Sequence, residues 1–256
     1  MNEMTLLAFA DDLSKPCRYC APISYVQTER LTSQPVPDPT EPTATVTFIQ
    51  FRDRTYAVTA AHVVNSFRAS VPDPQNWTFF IPTAPGHTLF DHFYQPPAEF
   101  LTQRPDAVIR RIDPGLPPYL GKEAFLLTED AQPDLFPYAL AVGYPTARKK
   151  KLTHDDGWQV AMECCQAAAE GISRGTSDQV QFYSEIHARP EITSLSGMSG
   201  GPVLWSDGTM RGLIGIVKEA MSNEESEHTL GGGPKVHFIC QRFSAAEFAV
   251  WTAGIE

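Results

Sequence analysis

A serine set among glycines, in Gly197-Met198-Ser199-Gly200-Gly201-Pro202, and a histidine far upstream, in Thr59-Ala60-Ala61-His62-Val63, are the residues of this chain best suited to covalent chemistry. A hydroxyl becomes an effective nucleophile when an imidazole takes its proton, and attack is productive where backbone N–H groups receive the developing oxyanion. Glycines beside the serine let the main chain turn tightly enough to aim those groups inward. Gly-x-Ser-x-Gly also describes ordinary turns, so its surroundings must decide. An α/β-hydrolase elbow needs a strand before the serine, a helix after it, and the order serine, acid, histidine. Here Pro202-Val203-Leu204-Trp205 and Gly212-Leu213-Ile214-Gly215-Ile216-Val217 flank a Ser206-Asp207-Gly208 turn and read as a β-hairpin. Asp207, His228 and His237 do lie downstream, but the βα alternation of that fold is missing. The order histidine, acid, serine fits better.

The acid of such a triad accepts the second imidazole proton and must be shielded, which places it at the edge of an apolar strand. Asp106 opens Asp106-Ala107-Val108-Ile109 and meets that description. Asp91, in a loop rich in histidine and aromatics, and Asp113, a turn residue before Pro114, are its rivals.

With Val58-Thr59-Ala60-Ala61-His62, Asp106-Ala107-Val108-Ile109 and Gly197-Met198-Ser199-Gly200-Gly201-Pro202-Val203, the chain resembles the chymotrypsin-like serine proteases from about residue 40 onward. Ala139-Leu140-Ala141-Val142-Gly143-Tyr144-Pro145 looks like the strand opening the second barrel in the bacterial branch, so the bacterial intracellular trypsin-like peptidases are the nearest likeness. The resemblance implies an all-β protein of two antiparallel six-stranded β-barrels. An N-terminal arm and Pro-rich linker would span residues 1–42, a barrel carrying His62 and Asp106 residues 43–127, and a barrel carrying Ser199 residues 128–256. It implies a serine endopeptidase with His62 as base, Asp106 as its orienter, Ser199 as nucleophile and the N–H groups of Gly197 and Ser199 as oxyanion hole, working without cofactor or metal. Pocket residues carried over from the family are Thr193 and Ser194 before the serine, with Lys218 and Lys235 near its walls. None is acidic, so a preference for arginine or lysine has no anchor.

Secreted members of the family commonly carry an aspartate just before the nucleophile, paired with an N-terminal amine freed by cleavage. This chain has Met198 there, which holds no ammonium, so control by a protein partner or ligand is expected instead. Val108 departs more mildly from the family's usual alanine. Two further functions remain open: a binding or scaffold module of the same fold whose catalytic groups are silent, and a hydrolase of esters.

At 256 residues the chain can bury a sizeable core, and 22 prolines against 17 glycines favour turns and strands over long helices. A formal charge of −10 argues against nucleic acid as a partner. Arg148-Lys149-Lys150-Lys151, the one basic run, reads as a solvated loop. The five cysteines are odd in number and look reduced; with neither a signal peptide nor a membrane span near Met1, they predict a cytoplasmic protein. Cys17-Arg18-Tyr19-Cys20 lacks a second half at zinc-site spacing.

The elements that must carry these residues are partly readable. Residues 34–42 hold four prolines and read as a linker. Residues 43–51 and 55–59 flank Arg52-Asp53-Arg54 as a hairpin that delivers His62 at its far end, and residues 76–81 form the next clear strand. Residues 158–163 and 179–186 are read as strands of the second barrel, the latter with Val180, Phe182, Ser184 and Ile186 on one face. Ser244-Ala245-Ala246-Glu247 is a capping box opening a helix to about Ala253, with Phe248 and Trp251 sharing the face that docks on a barrel and Gly254 as its stop.

Overall fold

Alternating apolar and β-branched residues turn most of this chain into strands. The computed structural model describes residues 15–33, 41–82, 87–90, 92–96, 104–129, 132–154, 157–173, 178–185, 195–222 and 235–255. The first sheet contains β1 (Cys20–Gln27), β2 (Thr43–Phe51), β3 (Arg54–Thr59), β4 (Trp77–Pro82), β5 (His87–Phe90) and β6 (Val108–Ile112) in the antiparallel order β5-β4-β1-β2-β3-β6. A further strand, β7 (Phe125–Leu127), joins β2 in parallel. Tyr94, beyond β5, exchanges 2.7 Å backbone bonds with Ile109 of β6, bringing the two edges together.

The second sheet contains β8 (Leu135–Gly143), β11 (Cys165–Ser173), β12 (Gln179–Glu185), β13 (Pro202–Ser206), β14 (Arg211–Ser222) and β15 (Lys235–Arg242) in the order β11-β8-β13-β14-β15-β12. Its edges meet where Ser184 Oγ of β12 donates to the Ala168 carbonyl of β11 at 2.7 Å. Between β8 and β11 in sequence, β9 (Lys149–His154) and β10 (Gly157–Met162) form a two-stranded sheet of their own among the described residues. The longer helices are α1 (Ala61–Ala69) and α2 (Ala245–Thr252).

Three apolar clusters follow. Ile23, Val46, Phe48 and Phe79 belong to the first barrel's interior, and Phe136, Val203, Ile214 and Phe238 to the second's. The third lies between barrels, where Ile49, Tyr56 and Ile109 of the first meet Val142, Leu204 and Ile216 of the second. Helix α2 seals it: the Ser244–Glu247 capping box is formed, and Phe248 packs edge-on against Phe51 and Tyr56 with centroids 5.5 and 5.4 Å away. Buried aromatic area of this kind is the main apolar driving force joining the barrels.

The structure corrects several expectations. Residues 20–27 are a central strand of the first barrel, not part of an arm, because β1 pairs with β2 on one side and β4 on the other. The 158–163 strand belongs to a separate hairpin rather than to the second barrel's sheet. The cysteines are not all reduced: Cys17 and Cys164, 147 residues apart, are joined in a disulfide, while Cys20, Cys165 and Cys240 are free. That disulfide ties the chain before β1 to the turn before β11, an approach created by the tertiary fold, and it removes Cys17 as a metal ligand. It also removes the cysteine argument for a reducing compartment. Ile186 and residues 34–40 of the Pro-rich segment lie outside the described residues.

Cross-linking so long a loop restricts the unfolded chain. Replacing both Cys17 and Cys164 with serine is expected to lower unfolding stability by about 2–5 kcal/mol, read as an earlier midpoint in urea with unchanged far-UV circular dichroism. An unshifted midpoint would contradict the cross-link's role.

Candidate active site

The β2–β3 hairpin ends at Thr59, and the chain turns at once into α1, whose Ala61, Val63, Val64 and Phe67 are buried. His62 therefore sits on the solvent side of the helix's first turn rather than at a strand end, with 44% of its side chain exposed. A helix's first N–H groups have no acceptor within the helix. Asp106 supplies one here: its Oδ1 accepts from His62 N at 2.8 Å, and its Oδ2 lies 2.7 Å from His62 Nδ1. One carboxylate thus fixes both the backbone and the ring of the same residue, leaving Nε2 as the ring nitrogen turned away from it.

Asp106 lies in the turn before β6, its side chain 15% exposed, next to fully buried Ala107. Its own N–H donates at 3.1 Å to Oε1 of Gln241, a buried residue of β15, so the acid is also tied to the second barrel. Burial is the largest influence on its ionisation and opposes it. The hydrogen bond from the His62 ring, the imidazolium charge, the His62 backbone N–H and the Lys218 ammonium together outweigh burial and hold the carboxyl below its usual value of 3.8. A depressed acid contributes stability that is complete above the unfolded value and is lost as pH falls through the folded one.

Two other acids are engaged in turns of their own. Asp113 Oδ1 accepts from Gly115 N at 2.7 Å, as a turn residue does, and Asp207 Oδ1 accepts from the N–H groups of Thr209 and Met210 in the β13–β14 turn. Asp91 lies outside the described residues.

Ser199 precedes β13 in a loop whose peptides are almost all anchored. Ser196 O accepts from Thr146 N, Met198 N donates to Leu195 O, Gly200 N donates to Val217 O and Gly201 N donates to Met198 O. Among the described residues, the N–H groups of Gly197 and Ser199 alone in the 197–201 run have no protein acceptor. Gly197 has φ 104° and Gly200 φ 89°, conformations open to glycine. A Cβ on Gly200 would also stand 2.1 Å from Thr45 O and 2.2 Å from Thr59 Oγ1, so this turn presses directly on the strands that lead to His62. Met198 is 1% exposed within the second barrel's apolar cluster.

The contacts that dock this loop came from residues the sequence reading passed over. Thr45 Oγ1 donates to Gly197 O at 2.7 Å, Thr47 Oγ1 to Gly200 O at 2.7 Å, and Thr59 Oγ1 to Thr45 O at 2.7 Å. Thr45 N donates to Ser199 O at 3.1 Å. These threonines and Gln241 are buried polar residues, and the available signal was the alternation in Thr43-Ala44-Thr45-Val46-Thr47, which puts hydroxyls along one face of a strand. Among the described residues no hydrogen bond joins Ser199 Oγ to His62. Such contacts are often long in the free enzyme and shorten with substrate.

Of the pocket residues expected from the resemblance, Thr193 and Ser194 lie outside the described residues, and Lys235 begins β15 opposite Glu185. Lys218 sits where the β14–β15 register shifts between Val217 and Glu219, and acts on Asp106. Among the described residues no cluster of acidic, histidine or cysteine side chains could hold a metal ion.

No family model matches the chain, and no curated protein matches it in sequence. Among solved structures, the thermostable serine protease AL20 from an extremophilic microorganism is 13% identical, with a TM-score of 0.50 over 92% of this chain and 96% of that one. Human heparin binding protein is 12% identical, with a TM-score of 0.50 over 93% of this chain and 91% of that one. The likeness is one of fold: this chain has the chymotrypsin-like fold of two antiparallel barrels and a C-terminal helix.

The Asp106 electrostatics can be ordered experimentally. Following the carboxyl carbon of Asp106 by NMR, we expect titration at higher pH in His62→Phe than in the parent, and a smaller rise in Lys218→Met. A fall in either variant would contradict the assignment of these groups as its stabilisers.

Proposed function

We propose that the protein is a serine endopeptidase in which His62, oriented by Asp106, takes the proton of Ser199 as its hydroxyl attacks a peptide carbonyl. The observation that carries this reading is the Asp106 carboxylate bonded through both oxygens to His62, which directly follows the β2–β3 pair whose threonines dock the Ser199 loop. Attack forms the Ser199 Oγ–carbon bond and moves the carbonyl electrons onto oxygen, where the Gly197 and Ser199 N–H groups receive them. The imidazolium, steadied by Asp106, then protonates the leaving amine, and water attacks the acyl-enzyme through the same base. Asp106 remains ionised throughout, which the influences holding its pKa down favour.

No charge at position 198 needs satisfying, since Met198 is packed in apolar surroundings. That supports a loop formed without a freed N-terminal amine, and we expect control by a partner or ligand. Lys218 and Lys235 would bias the pocket toward acidic or polar side chains, a preference that a peptide library reads.

The lack, among the described residues, of a hydrogen bond from Ser199 Oγ to His62 favours a second reading, in which the same fold serves as a silent binding or scaffold module. Human heparin binding protein bears the name of a binding function on this architecture; a net charge of −10 gives this chain poor complementarity to a polyanion.

A fluorophosphonate probe separates the readings. Labelling is expected at Ser199 and is lost in Ser199→Ala, whose peptide hydrolysis falls by about 10⁵–10⁶-fold with circular dichroism unchanged. Hydrolysis at the parental rate in Ser199→Ala would refute the assignment, and absence of labelling with or without candidate partners would favour the binding module. Matched ester and peptide substrates distinguish an esterase.

A further inference from the structure

An oxyanion hole requires that successive peptide planes be held in one arrangement, and in this loop each plane can be traced to its restraint. The 196–197 peptide is set by Ser196 O on Thr146 N, which turns the Gly197 N–H to the opposite side, because a trans peptide points its C=O and N–H apart. The 197–198 peptide is set by Thr45 Oγ1 on Gly197 O and by Met198 N on Leu195 O. The 198–199 peptide is set by Gly201 N on Met198 O, and the 199–200 peptide by Thr45 N on Ser199 O and Gly200 N on Val217 O. One residue of the first barrel therefore restrains peptides on both sides of the nucleophile.

Thr45 is well placed for this. It is fully buried, its backbone pairs with Pro22 of β1, its carbonyl accepts from Thr59 Oγ1, and its hydroxyl also accepts from Tyr144 N at 2.9 Å. The hydroxyl has one proton to give; with Tyr144 N–H as its donor, that proton is directed to Gly197 O. Tyr144 in turn follows β8, so Thr45 bridges the start of the second barrel and its nucleophile loop. Neighbouring threonines extend the contact: Thr43 Oγ1 lies 3.0 Å from Thr146 Oγ1, and Thr47 Oγ1 bonds Gly200 O. All of these groups are neutral, and residues 195–201, the described part of the loop, carry no carboxylate that an ammonium could grip.

We propose that Thr45 is a positioning residue of the active site: by anchoring Gly197 O and Ser199 O it fixes the 197–198 and 199–200 peptides that adjoin the Gly197 and Ser199 N–H groups, and so helps keep those groups in the arrangement that accepts an oxyanion, by a buried neutral hydroxyl in place of an ion pair. It does not touch the reacting atoms; it acts through Gly197 and Ser199. The inference rests on the serine-hydrolase reading for its catalytic consequence, but its structural part stands on the hydrogen bonds alone.

The test replaces Thr45 with valine, which keeps the branched shape and removes the hydroxyl, and with serine, which keeps the hydroxyl. In Thr45→Val, kcat is expected to fall about 10- to 100-fold with KM little changed, and the fluorophosphonate reaction to slow by the same factor. Thr45→Ser restores both. Crystal structures of the two variants read the loop independently of reactivity: the Gly197 peptide is expected to turn or shift in Thr45→Val and to keep its place in Thr45→Ser. A folded Thr45→Val protein with an undisturbed loop overturns the proposal, as does parental reactivity in that variant. If the parent is unreactive while the valine variant's loop is displaced, the hydrolase reading fails and the positioning role stands. Should Thr45→Val not fold, Thr45→Cys, with its weak thiol donor, is judged by the same outcomes.

Discussion

The docking of the Ser199 loop onto β2 by hydrogen bonds from buried threonines is the constraint on which the site depends. His62 and Asp106 belong to one barrel and Ser199 to the other, so neither barrel holds a complete constellation. Apolar packing draws barrels together but is non-directional. Hydrogen bonds have preferred lengths and angles, and they set register where packing alone would leave slack. The bonds from Thr45, Thr47 and Thr59, with that from Asp106 N to Gln241, cross or brace the interface at the places where His62, Asp106 and Ser199 must meet for the proposed chemistry. The apolar face of α2, through Phe248, and the Cys17–Cys164 link restrain the same interface at a distance.

Burying so many hydroxyls has a cost unless each finds a partner. Thr45 shows how it is met, since its hydroxyl both donates and accepts and its N–H and carbonyl are used as well. A polar seam of this kind is stiff because removing one member strands another buried group. That stiffness is consistent with Met198 in the place where a charge would otherwise organise the loop. It also fits the pattern of N–H groups along residues 197–201, where, among the described residues, those of Met198, Gly200 and Gly201 are engaged and those of Gly197 and Ser199 are not.

Much of this was legible in the chain. The order of His62, Asp106 and Ser199 carried the fold, because few architectures place those residues beside strands in that sequence. The 202–217 hairpin and the Ser244 capping box were local patterns with local causes. Strand β1 was hidden because Pro22 argues against a central strand; it is tolerated since residue 22 pairs only with β2, and pairing with β4 starts at Ser24. Helix α1 was missed because Val63 and Val64 continue the apolar character of β3, although Ala61, Val64 and Phe67 recur at helical spacing. The disulfide and the threonine seam depend on which distant segments the fold brings together, and single residues do not announce that.

The most direct measurement of whether the two barrels assemble one reactive centre is a crystal structure of the protein after reaction with a fluorophosphonate. The account predicts phosphorus bonded to Ser199 Oγ, a phosphoryl oxygen about 2.7–3.1 Å from both the Gly197 and Ser199 N–H groups, and His62 Nε2 facing the adduct with Asp106 still bound to Nδ1. An adduct on another residue, or a phosphoryl oxygen turned to solvent with those N–H groups bonded elsewhere, would contradict it.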